Sequence, residues 1–311
     1  MPGAYAHLTL VGLLTASNVL NKEPGFPQAA KADLLANSCF CDLGAVSPDY
    51  PYLHLAHAGS AAWADLMHYT NTGKMLDVGV QEVRKLSGNA KKSMFAWLLG
   101  YAAHVVTDTT IHPVVEMKVG PYAQNKTAHR VCEMHQDAYI FQRLNVGAVG
   151  LSEYLDSGIC LCSSQSDEKK LNKEVATIWR TMLRSCHPEE YQKNLPAPDS
   201  WHAAFLSTMD LAEEGQKLFP FSRHVAVNAG VTYPNVKDID RQYVRQLNTP
   251  DGTMDYDAVF DRAKANVLRV WAALASAVYN SDASYQALIG DWNLDTGRDN
   301  QNELAFWSRV A

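Results

Sequence analysis

The chain has 311 residues, 47% of them hydrophobic and 19% charged, a globular balance with enough apolar material for a substantial core. A formal net charge of −6 excludes a global electrostatic attraction to nucleic acid or to an anionic membrane. No apolar stretch is long and uninterrupted enough to span a bilayer.

The first segment, MPGAYAHLTLVGLL, is a short apolar run carrying His7 with no basic segment ahead of it. That makes a poor secretory signal. The expectation is a chain that stays in the cytoplasm, has lost a signal before this numbering, or is exported by another route. After a turn-rich NKEPGFP, a short helix is expected over Ala29–Ala36. Cys41–His54 (CDLGAVSPDYPYLH) reads as a loop in which Pro48 and Pro51 flank Asp49 and stiffen the backbone around its carboxylate. Helices are expected over Ala58–Tyr69 and over Met75–Leu86. The first has Ser60 as its N-cap, His68 near its end, and Thr72 and Gly73 closing it; the second ends at Ser87-Gly88-Asn89.

The next run, Ala96–Pro113 (AWLLGYAAHVVTDTTIHP), carries His104, Asp108 and His112 at spacings of four. Residues four apart on an α-helix face the same way, about 5–6 Å apart at Cβ. An imidazole and a carboxylate so placed can grip one metal ion, although His104 and Asp108 alone would also suit a buried hydrogen-bonded pair. Pro113 biases His112 towards an extended backbone and so towards the helix end or just beyond it. Thr127 can then cap a helix through HRVCEMHQDAYIFQRL. There His129 and Glu133 again stand four apart, with His135 and Asp137 following as partners that orient ligating side chains or as part of a solvated face.

Beyond Gly147 histidines are sparse. Helices are expected over Leu171–Leu183, Ser200–Leu218 and Tyr256–Tyr279, a short strand over Val225–Val231, and nothing assignable after Asn280. No repeat or long linker marks a boundary, so the expectation is one all-α, mainly helical domain over 1–311 with its site in 1–145. The two CxC pairs, Cys39/Cys41 and Cys160/Cys162, lack zinc-ribbon spacing; Cys160–Cys162 reads as a surface loop and the thiols as mostly reduced.

Collected, His7, Asp49, His68, His104, Asp108, His112, His129 and Glu133 form a nitrogen and carboxylate set without cysteine, which suits catalytic Zn²⁺. They are more ligands than one ion can use, and a cluster of two or three ions is expected. The sequence resembles the zinc-dependent phospholipase C family, which shares an all-α fold with the S1/P1 nucleases. The early His7, the Pro48-Asp49 loop, the GYAAHVVTDTTIHP helix and the HRVCE helix carry the resemblance, in the family's order.

The resemblance implies that Asp49, His68, His104 and Asp108 surround one zinc and that His112, His129 and Glu133 hold a second. His7, a bridging Asp108 and the N-terminal backbone would hold a third. Secreted members chelate that third ion with a new N-terminal residue, typically Trp; here the chain starts Met1-Pro2, and Pro2 could serve after removal of Met1. The interval between the helical Asp and the next His is four, where the family usually has six. His54, His57 and His68 compete for the position after Asp49, and His68 is chosen for its place at a helix end.

The implied chemistry is hydrolysis of a phosphodiester, with Asp49 as general base or water-orienting carboxylate. The implied partner is a phospholipid met transiently at a membrane surface. Tyr50 stands where choline-selective members place a ring of the headgroup cage, while their acidic residue near the N-terminus is absent. The alternatives are a single-strand nuclease, stacking bases on Tyr50, Tyr52, Trp63 and Tyr122, and a helical metal-binding protein without turnover.

Overall fold

Residues Gly88–Val119 form one 32-residue helix, about 48 Å long, and most of it is buried. From Met94 to Val115 every residue is buried, the polar His104, Asp108 and His112 included. The structure is a computed structural model and describes residues 3–144, 158–215 and 233–307. Around this central helix pack Ser38–Val46, Thr72–Lys85, Tyr122–Ile140 and the long helix Tyr256–Asn280. The amino-terminal helix Ala4–Leu14 lies against both Ser38–Val46 and Tyr122–Ile140. Among the described residues the only strands form three two-stranded antiparallel hairpins, so the fold is all-α.

Two glycines allow a close crossing in the core. A Cβ on Gly44 would collide with the carbonyl oxygen of Trp97, and one on Gly100 with that of Cys41. Backbone therefore meets backbone where Ser38–Val46 crosses the central helix. This contact brings the chain around Asp49 to the level of His104.

Several expectations need correction. The stretch Cys41–His54 is not a loop: Ser38–Val46 is α-helical, Ser47–Asp49 is a 3-10 turn and Tyr50–Leu53 is one further helical turn. Each proline sits in the first turn of its short helix, where a missing N–H costs nothing. Pro113 does not end the central helix, so His112 is buried in the helix interior. Pro113 has no N–H for the Thr109 carbonyl, and Trp307 donates its indole N–H to the neighbouring Thr110 carbonyl at 2.8 Å. Gly297, at φ +66°, packs so closely on the Thr109 carbonyl and the Pro113 ring that a Cβ would not fit.

Thr127 lies inside the helix Tyr122–Ile140, whose kink falls at Asn125. Thr72 and Gly73 open the next helix and do not close the previous one. Ser60 does not cap its helix; its hydroxyl meets His54 Nδ1 at 2.8 Å and the Trp201 indole at 3.3 Å. Cys160–Cys162 is a 3-10 turn whose Cys162 is fully buried. Cys39, Cys41, Cys132, Cys162 and Cys186 are free thiols. The strand expected at Val225–Val231 lies outside the described residues. Past Asn280 the chain forms a hairpin of Trp292–Asn293 with Arg298–Asp299, pinned by Trp292 N–H to Thr72 Oγ1 at 2.7 Å and Leu294 N–H to the His68 carbonyl at 2.8 Å.

Candidate metal centre

The central helix presents His104 and Asp108 on one face, with His104 Nε2 3.3 Å from Asp108 Oδ2. Ser60–Tyr69 brings His68 to the same point, its Nε2 3.3 Å from Asp49 Oδ1 and 3.8 Å from Asp108 Oδ2. From the amino-terminal helix His7 approaches the other oxygen, Nε2 to Asp108 Oδ1 3.1 Å, with its ring stacked on His104 at 4.1 Å. Two groups of ligand atoms gather here, His7 with His104 and Asp108, and Asp49 with His68 and His104. One turn along the central helix His112 Nε2 lies 3.6 Å from Glu133 Oε1, and His129 Nδ1 lies 3.9 Å from the same oxygen. His7, Asp49, His68, His104 and Asp108 are thus brought together, and His112, His129 and Glu133 form a second group one turn along the central helix.

Backbone carbonyls decide the protonation of four rings. His68 Nδ1 meets the Ala64 carbonyl at 2.7 Å, His104 Nδ1 that of Ala45 at 2.9 Å, and His112 Nδ1 that of Leu294 at 2.7 Å. His129 does the same with its other nitrogen, Nε2 to the Gly120 carbonyl at 2.6 Å. A carbonyl only accepts, so these nitrogens carry a hydrogen, and in the neutral ring the opposite nitrogen offers a lone pair. Yet His68 Nε2 and His104 Nε2 face one another at 3.3 Å, and both face carboxylates. Both oxygens of Asp108, Oδ1 of Asp49, Nε2 of His112 and both nitrogens of His7 are buried without a hydrogen bond. A buried cluster of acceptors is costly by itself. A divalent cation satisfies it, and the carbonyl supports are what metal-ligating histidines use to fix tautomer and ring angle.

The electrostatics agree. Burial opposes ionisation of Asp108, but His104, His112 and His7 outweigh it and hold the carboxyl well below its ordinary value. Asp49 is held low against burial by His104 and His68. Burial drives His112 well below its ordinary value, against the pull of the Asp108 carboxylate.

Other residues fall differently from expectation. Tyr50 is a correction: it is fully buried, stacked on Phe205 at 4.4 Å and near Trp179 and His202, so it presents no ring to a ligand. Trp63 is buried as well, donating to the Asn194 carbonyl. Tyr52, half-buried, has its ring 5.5 Å from that of His68, and Tyr122 meets the His129 ring edge-on at 5.3 Å. His54 and His57 stack on one another away from the cluster. His135 accepts the Asp240 N–H at 3.0 Å and packs on Tyr243, so it supports no ligand.

The sequence reading missed Asp295, whose Oδ1 lies 3.9 Å from His112 Nδ1 while its Oδ2 accepts the Tyr69 hydroxyl at 2.9 Å. It also missed the Leu294 carbonyl. No side-chain pattern around residue 295 signals either.

Compared with known proteins, the family model described as zinc dependent phospholipase C matches residues 7–189, more than half of the chain. The chain belongs to this family. The matched span includes all eight candidate ligands, and Asp295 lies beyond it. No curated protein and no solved structure matches the chain. A zinc-dependent phospholipase C is a hydrolase, and the match gives no support to the nuclease alternative. No helix among the described residues is long and apolar enough to cross a membrane.

Proposed function

We propose that the chain hydrolyses the phosphodiester bond of a glycerophospholipid, releasing diacylglycerol and a phosphorylated headgroup. In this reading Asp49, His68, His104 and Asp108 hold one zinc ion and His112, His129 and Glu133 a second. His7 and Asp108 contribute to a third. The observation that carries the reading is the pair of ring nitrogens turned away from their carbonyl supports, His68 Nε2 and His104 Nε2, 3.3 Å apart among carboxylate oxygens.

Zinc supplies a lowered pKa for bound water and neutralises charge on phosphate oxygens. The chain supplies the arrangement. Asp108 is fully buried and lies between His7, His68 and His104. Asp49 keeps 17% side-chain exposure at the edge of the cluster. Held ionised, it can accept a hydrogen bond from the attacking water and aim its oxygen at phosphorus. As the new phosphorus–oxygen bond forms, the bond to the diacylglycerol oxygen breaks and that oxygen takes a proton. Tyr52 beside His68 and Tyr122 beside His129 flank the cluster and can contact the substrate.

Zinc per chain of the purified protein, measured by elemental mass spectrometry, tests the first half. About two to three equivalents are expected from the donor count. Release of phosphocholine from phosphatidylcholine vesicles tests the second half. Failure to take up zinc on dialysis removes the metal centre; zinc without phosphodiester cleavage leaves a metal-binding protein without turnover.

A further inference from the structure

His7 differs from the other histidines of the cluster. His68, His104, His112 and His129 each rest on a backbone carbonyl, whereas His7 rests on none and faces the Asp108 carboxylate, Nε2 to Oδ1 3.1 Å. Its direction therefore depends on the placement of its own helix, Ala4–Leu14. That helix has no side-chain cap of its own, because its N-cap residue is Gly3.

A cap comes from elsewhere in the chain. Asp137, one turn beyond Glu133 on Tyr122–Ile140, is fully buried and reaches the open end of the helix. Its Oδ1 accepts the Ala6 N–H at 3.0 Å, and its Oδ2 accepts the Tyr5 N–H at 3.3 Å and the Tyr233 hydroxyl at 3.1 Å. The fit is close: a Cβ on Gly3 would collide with Asp137 Oδ2. The Tyr5 ring lies edge-on to Phe141 at 4.9 Å and to Tyr233 at 4.8 Å, which fixes the rotation of the first turn. First-turn amides are the unsatisfied donors of any helix, and the two carboxyl oxygens of Asp137 accept from two of them. The same helix that carries His129 and Glu133 thus also sets where His7 stands.

We propose that Asp137 is the positioning residue of His7, an external cap that sets the depth and rotation of the amino-terminal helix so that His7 reaches Asp108. Asp137 touches neither metal nor substrate. The inference rests on the metal-centre reading, since it takes His7 as a ligand.

The test is zinc content per chain at a fixed free zinc concentration, by elemental mass spectrometry, for wild type, Asp137→Ala, His7→Ala and the double variant. Asp137→Ala and His7→Ala are each expected to lose about one equivalent, and the double variant no more than either alone, because coupled residues are non-additive. Asp137→Asn keeps an acceptor for the Ala6 amide and should recover part of the loss. Full zinc content in Asp137→Ala overturns the inference, and so does a double variant that loses more than either single one. If Asp137→Ala does not fold, Asp137→Asn decides: a partial loss that vanishes in the His7→Ala background supports positioning, and any other result overturns it. Wild-type protein that takes up no zinc overturns the metal-centre reading and this inference together; full zinc in wild type and Asp137→Ala alike overturns the inference alone.

Discussion

Asp49 and Asp108 are both carboxylates in the same cluster, yet only Asp49 retains exposure, 17% against none for Asp108. In the proposed reaction Asp49, at the more open edge of the cluster, orients water as well as ligating, whereas Asp108 only ligates. Asp49→Asn keeps the shape and one acceptor oxygen but removes the basicity. Turnover on phosphatidylcholine is expected to fall by about 10²–10⁴ while zinc content stays at the wild-type level, because His68, His104 and Asp108 remain. Unchanged kcat in that variant would take Asp49 out of the mechanism. The residue scale is also where sequence reading met a clear limit. Tyr50 and Tyr52 are two apart on a single helical turn, roughly 200° around its axis, and periodicity cannot say which faces in. The structure buries Tyr50 against Phe205 and places Tyr52 beside His68.

Elements were legible where their chemistry is local. The pairs His104/Asp108 and His129/Glu133 could be read directly, because four residues make one helical turn and both lie on helices. The path of the chain past Pro113 was not legible, because the residues that pack on the helix there, Trp307 and Gly297, lie nearly two hundred residues away. The support of His104 by the Ala45 carbonyl was equally hidden, since it arises from a helix crossing and not from a side-chain pattern. That crossing depends on Gly44 and Gly100. Helix propensity alone predicts that Gly100→Ala stabilises by about 1 kcal/mol. The added Cβ, however, collides with the Cys41 carbonyl oxygen, an atom fixed in another helix. Overpacking of this kind costs about 3 kcal/mol, so the collision wins and the expected net loss is about 2 kcal/mol. Chemical denaturation should show a lower midpoint for Gly100→Ala. A raised midpoint would mean that the two helices can separate freely, and His104 would then need another support.

At the scale of the molecule, the cluster collects side chains from the amino-terminal helix, the Ser47–Asp49 turn, Ser60–Tyr69, the central helix and Tyr122–Ile140. The carboxy-terminal hairpin then clasps two of these: Leu294 donates to the His68 carbonyl and accepts from His112 Nδ1. Elements otherwise joined by apolar packing thus converge on one group of buried acceptors. Without a cation, the lone pairs and carboxylates repel one another and oppose the packing that assembles them. Metal binding to the native state should therefore stabilise the whole fold. A ligand at a thousand times its Kd adds about 4 kcal/mol per site. Chelator treatment is expected to lower Tm by at least several degrees, and added zinc to restore it in proportion to the logarithm of its free concentration. Magnesium should not substitute, because it favours oxygen ligands and retains its water, whereas five of the eight donors here are imidazoles. Thermal scans by circular dichroism, with and without chelator and at stepped zinc and magnesium concentrations, measure this directly. A Tm indifferent to chelation would mean that the acceptor cluster is satisfied by protons and water, and ordinary core polarity would then account for the histidines and carboxylates gathered around Asp108.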